Sequence, residues 1–323
     1  MTASPKMAFV AAAFAALALY PLVGGSFGID MVTKTMIYAI AALSLELLVG
    51  STGLVCFGQA AFFGIGAYAA VLLSPASEAA GLWWLLPVSI VAAALYALAV
   101  GALSLRTKGV YFIMVTLAFA QMAYYVVHDT PLGGGTDGIY LTMKPVLGRW
   151  LDLDGALPLY YLTLACLAAV FVFLAVLLRS RFGRALAGIR VNEQRMRAAG
   201  YATYGYKLAA FVIGGSLAGL AGFLMAAKDG AVNPELLSWH QSGAVLLMII
   251  LGGIGSLRGA VIGAAAFTLL QELFQSEALL GRLAGHWQLT LGFTIIAFVA
   301  LLPKGLIGLK QRLGIGSKEG ARG

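Results

Sequence analysis

The sequence predicts an all-α fold, a polytopic membrane helix bundle with about ten membrane segments. Two observations carry that reading. Of 323 residues, 61% are hydrophobic and only 11% charged, with a mean hydropathy of +0.93, whereas a water-soluble chain of this size carries about twice that charged fraction. The apolar residues also fall into long runs separated by short polar connectors. The 41 glycines and nine prolines fit transmembrane helices, where neighbouring helices re-satisfy the backbone groups that a break sets free.

A segment of roughly 20 apolar residues crosses a bilayer. Ten runs qualify or come close, near 7–24, 32–50, 56–73, 82–104, 109–128, 158–178, 207–228, 241–254, 259–276 and 287–303. Those at 56–73 and 241–254 are short and glycine-rich, which reads as broken or re-entrant helices that line a cavity instead of meeting lipid. Lys6 ahead of the first run, and Ala16-Leu17-Ala18 within it, imitate a signal peptide. Nothing after it resembles a secreted domain, so an uncleaved first helix is expected.

Basic residues resist translocation, so their placement sets orientation. With the amino terminus in the cytoplasm, one side receives Lys6, Arg106, Lys108, every base from Arg179 to Lys207, Arg258, and every base from Lys304 to Arg322. The other side receives Lys34, Lys144, Arg149, Lys228 and Arg282, with acids that include Asp129, Asp137, Asp152 and Asp154. Both termini and the arginine-rich loop are therefore expected in the cytoplasm. The net charge of +8 does not indicate nucleic acid, because the bases sit at segment ends and not in a patch with interleaved aromatics. Cys56 and Cys166 lie inside apolar runs and read as packing residues, with neither a metal site nor a disulfide framework.

Small residues recur at four-residue spacing at Gly215 and Gly219, with Gly222 close by, and again at Gly255, Gly259 and Gly263. That spacing lets helix backbones approach, and packing is the expected role. No phosphate-binding G-x-x-x-x-G-K-[ST] occurs, so any nucleotide chemistry must come from another chain.

The segment "RFGRALAGIRVNEQRMRAAGY", Arg181 to Tyr201, interrupts the apolar pattern. Its composition predicts one helix from Gly183 to Ala199, capped by Gly200. Ala185, Leu186, Ile189 and Met196 form an apolar stripe, with Arg184 and Arg195 pointing away. Glu193 is placed to pair with Arg197 at i+4 and Arg190 at i−3. Amphipathicity alone admits two readings, a connector lying on anionic lipid headgroups or a knob that enters a partner's groove.

Several stretches together resemble the membrane subunit of bacterial branched-chain amino acid ABC importers, the high-affinity hydrophobic amino acid uptake family. They are "GLVCFGQAAFFGIGAYAAVLL" at 53–73, "GGGTDGIYL" at 133–141, the segment at 181–201, "YKLAAFVIGGSLAGLAGFLMA" at 206–226 and "NPELLSWHQSGAVLLMIILGGIGSLRGAVIGAAAF" at 233–267. The resemblance covers roughly residues 36 to 307. It implies one permease domain across 1–323, paired with a second homologous permease chain, two cytoplasmic ATPase subunits and a periplasmic solute-binding protein, in the bacterial inner membrane. No cofactor is expected on this chain; ATP and Mg are expected in the partner ATPases. By the same resemblance the helix at about 183–200 is the coupling segment that docks on an ATPase, through Leu186, Ile189, Arg190, Glu193, Met196 and Gly200. Arg195, Met196 and Arg197 depart from the family pattern, where many members have small residues or an acid.

Polar groups within spans are costly and need a partner or a task. Glu46, where similar proteins often have Asn, has two readings: a contact for a substrate ammonium, or a carboxyl hydrogen-bonded to a neighbouring helix, solvated from the cytoplasmic end. Phe57, Gln59, Phe62 and Phe63 lie in the short glycine-rich segment and are candidates to line a central pathway, against aromatic packing. Thr136 and Asp137 follow three glycines, where a flexible backbone suits an outer gate or a docking point for the binding protein; the alternative is an Asx turn. His128, Gln121, Gln271 and Glu272 carry no assigned role.

The expected function is ATP-driven import of branched-chain or other hydrophobic amino acids. A related permease for urea, short amides or aromatic acids is the alternative. An ion-coupled secondary transporter would use Glu46 as its proton site, but a carboxylate relay is missing. A membrane enzyme lacks its cluster: His128, His240 and His286 are far apart in sequence, and neither HExxH nor G-x-S-x-G occurs.

Overall fold

The computed structural model describes residues 5–22, 24–75, 81–141, 146–147, 151–152, 155–276, 285–302 and 305–312. Lys144, Arg149, Asp154, Arg282, Lys304 and the bases beyond residue 312 lie outside the described residues. The helices are α1 (Pro5–Leu19), α2 (Ser26–Glu46), α3 (Gln59–Leu72), α4 (Leu82–Ser104), α5 (Val110–Asp129), α6 (Ala156–Arg179), α7 (Arg181–Val191), α8 (Glu193–Ala198), α9 (Thr203–Asp229), α10 (Trp239–Gly252), α11 (Leu257–Gln275), α12 (Trp287–Leu301) and α13 (Gly305–Arg312). Among the described residues, seven helices are long and apolar enough to cross a membrane. Three shorter apolar helices, Ala12–Leu22, Gln59–Leu72 and Trp239–Gly252, account for the remaining expected segments. The fold is the expected polytopic bundle.

Helix α9 stands at the centre. Its sequence "GGSLAGLAGF" places small residues on the faces that meet α3 and α4. Gly215 lies against Ala97 of α4, Gly219 against Ala93, and Gly222 against the backbone of Phe63, whose carbonyl occupies the space a Cβ would need. Gly66 of α3 faces Gly219 with the same closeness. Small residues substitute here for the hydrophobic effect, which supplies no drive between helices already in lipid. The second glycine series closes the α10–α11 hairpin, with Gly263 backed onto Met248 and Gly252. Gly215, Gly219, Gly222, Gly259 and Gly263 thus serve the packing role expected of them, whereas Gly255, with φ 97° and nothing within 4 Å of a Cβ, serves the turn between α10 and α11.

The directions of the elements follow from their contacts. Helix α2 runs antiparallel to α9: Asp30 near its start pairs with Lys228 at the end of α9, 3.0 Å apart, while Leu48 lies beside Gly214. After Glu46 the helix continues as a wider π-helical turn, Leu47–Thr52, and stops at Gly53, whose φ of 74° suits glycine. Residues 53–58 then return without regular structure, and α3 starts beside Ser44, well inside the bundle. At 14 residues α3 spans about 21 Å, short of a hydrocarbon core of about 30 Å.

Helix α10, also 14 residues, begins the same way. The chain leaves α9 at Gly230, forms the strand β4 (Ala231–Val232) and a 3-10 turn Pro234–Leu237, then starts α10 with Gln241 beside Tyr38. Tyr38 falls in the middle third of the 27-residue apolar stretch Ser26–Thr52, and Ser44 opens its last third. Strand β1 (Ile139–Tyr140) pairs antiparallel with β4, and β2 (Val146–Leu147) pairs with β3 (Leu151–Asp152). The first pair ties the loop after α5 to the end of α9.

Replacing Gly222 by Val is expected to lower stability by about 1–3 kcal/mol, the usual cost of overpacking a close contact. Gly292→Ala, where a Cβ meets nothing within 4 Å, is expected to leave it unchanged. Thermal melting of the two purified variants in detergent checks the difference.

Candidate functional site

Two helices that begin inside a bundle carry free N–H groups into an apolar setting, and each must find an acceptor. The sequence supplies them one by one. The Phe57 N–H donates to Thr116 Oγ1 of α5 at 3.3 Å. The Gly58 N–H donates to Cys56 Sγ at 3.2 Å, so Cys56 both packs and accepts. The Ala60 N–H donates to Ser242 Oγ of α10 at 2.9 Å. That last bond joins the first turn of α3 to the first turn of α10.

Gln59 completes the junction. Its side chain is 1% exposed, its Nε2 donates to Ser44 Oγ at 2.5 Å, and its Oε1 is buried without a partner. Gln241 Nε2 donates to the Tyr38 hydroxyl at 3.3 Å on the rim of the same cluster. Two helix N-termini, each with its positive dipole end, meet here around an unpaired amide oxygen. Such a junction favours a carboxylate from the helix ends and a donor at Gln59 Oε1. Of these residues the sequence reading singled out Phe57 and Gln59 for the pathway. Ser242, Ser44, Thr116, Tyr38 and Gln241 were missed; the polar run Trp239-His240-Gln241-Ser242 opening a short apolar segment is the signal that points to α10.

The aromatic candidates divide. Phe62 is fully buried and packs edge-on to Phe211 and Tyr96, with ring centroids 5.4 and 6.0 Å apart. Phe63 is buried against α9 at Gly222. Both therefore pack helices together and do not line an open pathway, because the small face of α9 draws α3 too close to leave space. Phe57 stays half-buried in the irregular segment.

Thr136 and Asp137 are exposed on a 3-10 turn, with Thr136 Oγ1 3.4 Å from Asp137 Oδ1. Here the expected flexible loop and the Asx turn both give way to a tight connection. Gly134, Gly135 and Gly138 adopt left-handed conformations, Gly138 fits against the Val232 carbonyl, and the Tyr68 hydroxyl reaches the Gly133 carbonyl at 3.5 Å.

Glu46 is 2% exposed, so solvation from the membrane edge does not occur. Its Oε1 accepts the Gly255 N–H, 2.7 Å away, in the turn between α10 and α11; Oε2 is buried without a partner. Its carboxyl fills the space beside Gly50 that any larger residue would claim. The geometry is that of a carboxyl hydrogen-bonded to a neighbouring hairpin.

The arginine-rich segment is two helices, not one. Ser180 caps α7 by accepting the Phe182 and Gly183 N–H groups. Asn192 takes an extended conformation and caps α8, accepting the Arg195 N–H at 2.9 Å. Gly200, with φ 85°, ends α8 as expected, with the Tyr201 N–H on the Met196 carbonyl. Glu193 pairs with Arg197 at 2.6 Å as expected. Arg190 does not join it; its Nη1 donates instead to the carbonyl of Gly50 at the end of α2. Glu193 takes Lys207 of α9 in its place, at 2.9 Å.

The apolar stripe faces inward. Leu186 is fully buried, Ala185 and Ile189 are buried, and the Met196 sulfur packs over Gly188 across the corner. The expectation that Leu186 and Ile189 enter a partner's groove is corrected: the partner of the stripe is this chain's own bundle, beneath the corner. The outer face carries Arg184, Ala187, Gln194, Arg195 and Val191, the last 87% exposed.

A family model described as branched-chain amino acid transport system, permease component, matches residues 28–300. The chain belongs to this family. It is a transport subunit and a multi-pass membrane protein. The permease protein LivM of the high-affinity branched-chain amino acid transport system of Escherichia coli (strain K12) is 32% identical over 333 residues, covering 96% of this chain and 76% of that protein. The permease protein LivH of the same system is 23% identical, covering 86% and 93%. The xylose transport system permease protein XylH of that organism is 34% identical over 133 residues, covering 38% and 33%. No solved structure matches.

Burial pushes the Glu193 carboxyl up, but bonds from Lys207, Arg197 and Thr203 outweigh it and hold the group at about 2. Its stabilising contribution is therefore complete above the ordinary value of 4.5 and is lost as pH falls towards 2. A nitroxide placed at Ala198 is expected to gain mobility in that window. Glu193→Gln is expected to show the same mobility already at neutral pH, read by its electron spin resonance spectrum.

Proposed function

We propose that this chain is the permease subunit of an ATP-driven importer for branched-chain or other hydrophobic amino acids. The observation that carries the reading is the junction of α3 and α10: two half-helices whose first turns meet at the Ala60–Ser242 hydrogen bond, 2.9 Å long, beside the unpaired Gln59 Oε1. An amino acid carboxylate is stabilised by the helix N-termini, and its ammonium donates to Gln59 Oε1. The relatives named for branched-chain amino acid transport support the substrate class.

The energy comes from partner chains. Two cytoplasmic ATPase subunits bind ATP and Mg, a second homologous permease completes the membrane unit, and a periplasmic solute-binding protein delivers substrate at the loops after α5 and α9. The positive-inside distribution supports a cytoplasmic α7–α8 corner and cytoplasmic termini. An ATPase docks on the exposed face of that corner, at Arg184, Val191 and Arg195. Motion there reaches the bundle through Arg190, which holds the Gly50 carbonyl, and through the Glu193–Lys207 pair on α9.

Gln59→Ala is expected to cut leucine uptake by the reconstituted complex about tenfold or more, the cost of losing a buried polar contact. Val191→Asp is expected to leave the chain inserted and folded yet abolish leucine-stimulated ATP hydrolysis. Unchanged uptake in Gln59→Ala and unchanged stimulation in Val191→Asp would refute the two assignments.

A further inference from the structure

Beside the α7–α8 corner lies a cavity of about 350 Å³ that none of the mid-bundle polar residues line. Small-molecule sites run from about 300 to 1,000 Å³. One wall is charged, with Lys108 from just ahead of α5, Arg190 from α7, Glu193 from α8 and Lys207 from α9. The other is apolar, with Leu54, Val55, Phe112, Ile113 and Ile189.

The charged groups are only partly used. Arg190 gives its Nη1 to Gly50, which leaves the other N–H groups of its fork. Glu193 takes all its bonds from Arg197, Thr203 and Lys207 through Oε1; Oε2 accepts none among the described residues. Lys108 is exposed and makes no ion pair among the described residues. Two cationic groups with donors to spare, Lys108 and Arg190, the Glu193 Oε2 and an apolar wall therefore converge on one small space. A purely anionic headgroup would meet the Glu193 carboxylate, and a neutral solute would leave these charges idle. A zwitterion with an apolar side chain uses all three.

We infer that this cavity binds an aliphatic α-amino acid on the cytoplasmic side. The carboxylate lies at Lys108 and Arg190, the ammonium at Glu193, and the side chain on Leu54, Val55 and Phe112. The inference rests on the amino acid import proposed above and adds a second station to it. Residues 53–55 line the cavity, and the same irregular segment leads into Gln59 at the start of α3, so one stretch of chain links the mid-bundle junction to this exit. A ligand here also touches α7 and α8, which ties product occupancy to the corner on which the ATPase docks.

The test uses the full complex with both permeases and the ATPases, without the binding protein, in phosphatidylcholine nanodiscs titrated with radiolabelled L-leucine. Saturable binding is expected, competed by L-valine but not by 4-methylpentanoate or L-leucinamide, which lack the ammonium or the carboxylate. Lys108→Glu is expected to weaken binding about tenfold by reversing the charge at the carboxylate, and Lys108→Arg to restore it. Binding indifferent to both variants overturns the inference, as does occupancy by phosphatidylglycerol headgroups, recovered on adding that lipid, in place of leucine. Uptake in proteoliposomes separates the two readings. Leucine uptake without Lys108-dependent binding overturns this site alone, whereas absent uptake by the unaltered complex overturns the importer assignment and this site with it.

Discussion

A helix that starts in the middle of an apolar bundle has N–H groups that lipid cannot satisfy. This protein has two such helices, α3 and α10, and much of its interior chemistry answers that one constraint. Thr116, Cys56 and Ser242 stand within apolar segments because the N–H groups just before and within the first turn of α3 need acceptors there. Ser44 stands opposite Gln59 for the related reason that a buried amide needs an acceptor for its N–H. At this junction Gln59 Oε1 is left without a partner, and an unpaired buried acceptor beside two helix N-termini is the observation on which the proposed substrate contact rests.

The packing depends on the same arrangement. Short helices leave little apolar surface, so they are held by close backbone approach, which the glycine faces of α9 and α11 permit. The outputs of that packing gather at one end. There Glu46 joins α2 to the α10–α11 turn, Arg190 joins α7 to α2, and Lys207 joins α9 to α8. The α7–α8 corner is thus bonded to α2 and α9 directly, and α2 to the α10–α11 turn through Glu46, the contacts on which the proposed coupling rests.

The segments, their broken members and the packing role of the glycines were legible in the sequence because each depends on composition and spacing within one run. So were the Glu193–Arg197 pair and the Gly200 cap, which are contacts within a turn or two. Contacts across the bundle were not. Nothing local says that Arg190 reaches Gly50, 140 residues away, or that Glu193 prefers Lys207. An amphipathic stripe announces that Leu186 and Ile189 are covered but not by what, and here the cover is the chain itself. Asn192 was a missed signal of the legible kind, a helix-capping residue directly before Glu193. Phe62 and Phe63 misled for a packing reason: a glycine-rich helix sounds open, yet its small residues serve to bring the neighbouring helices closer.

The central claim is that substrate passes where α3 and α10 begin. The most direct measurement is a cryo-electron microscopy structure of the assembled complex trapped with L-leucine. Ligand density is expected between the two N-terminal turns, within hydrogen-bond distance of Gln59 Oε1 and Ser242 Oγ, with the Ala60–Ser242 bond opened. Leucine resolved along another route, with that bond intact and Gln59 still buried, would contradict it.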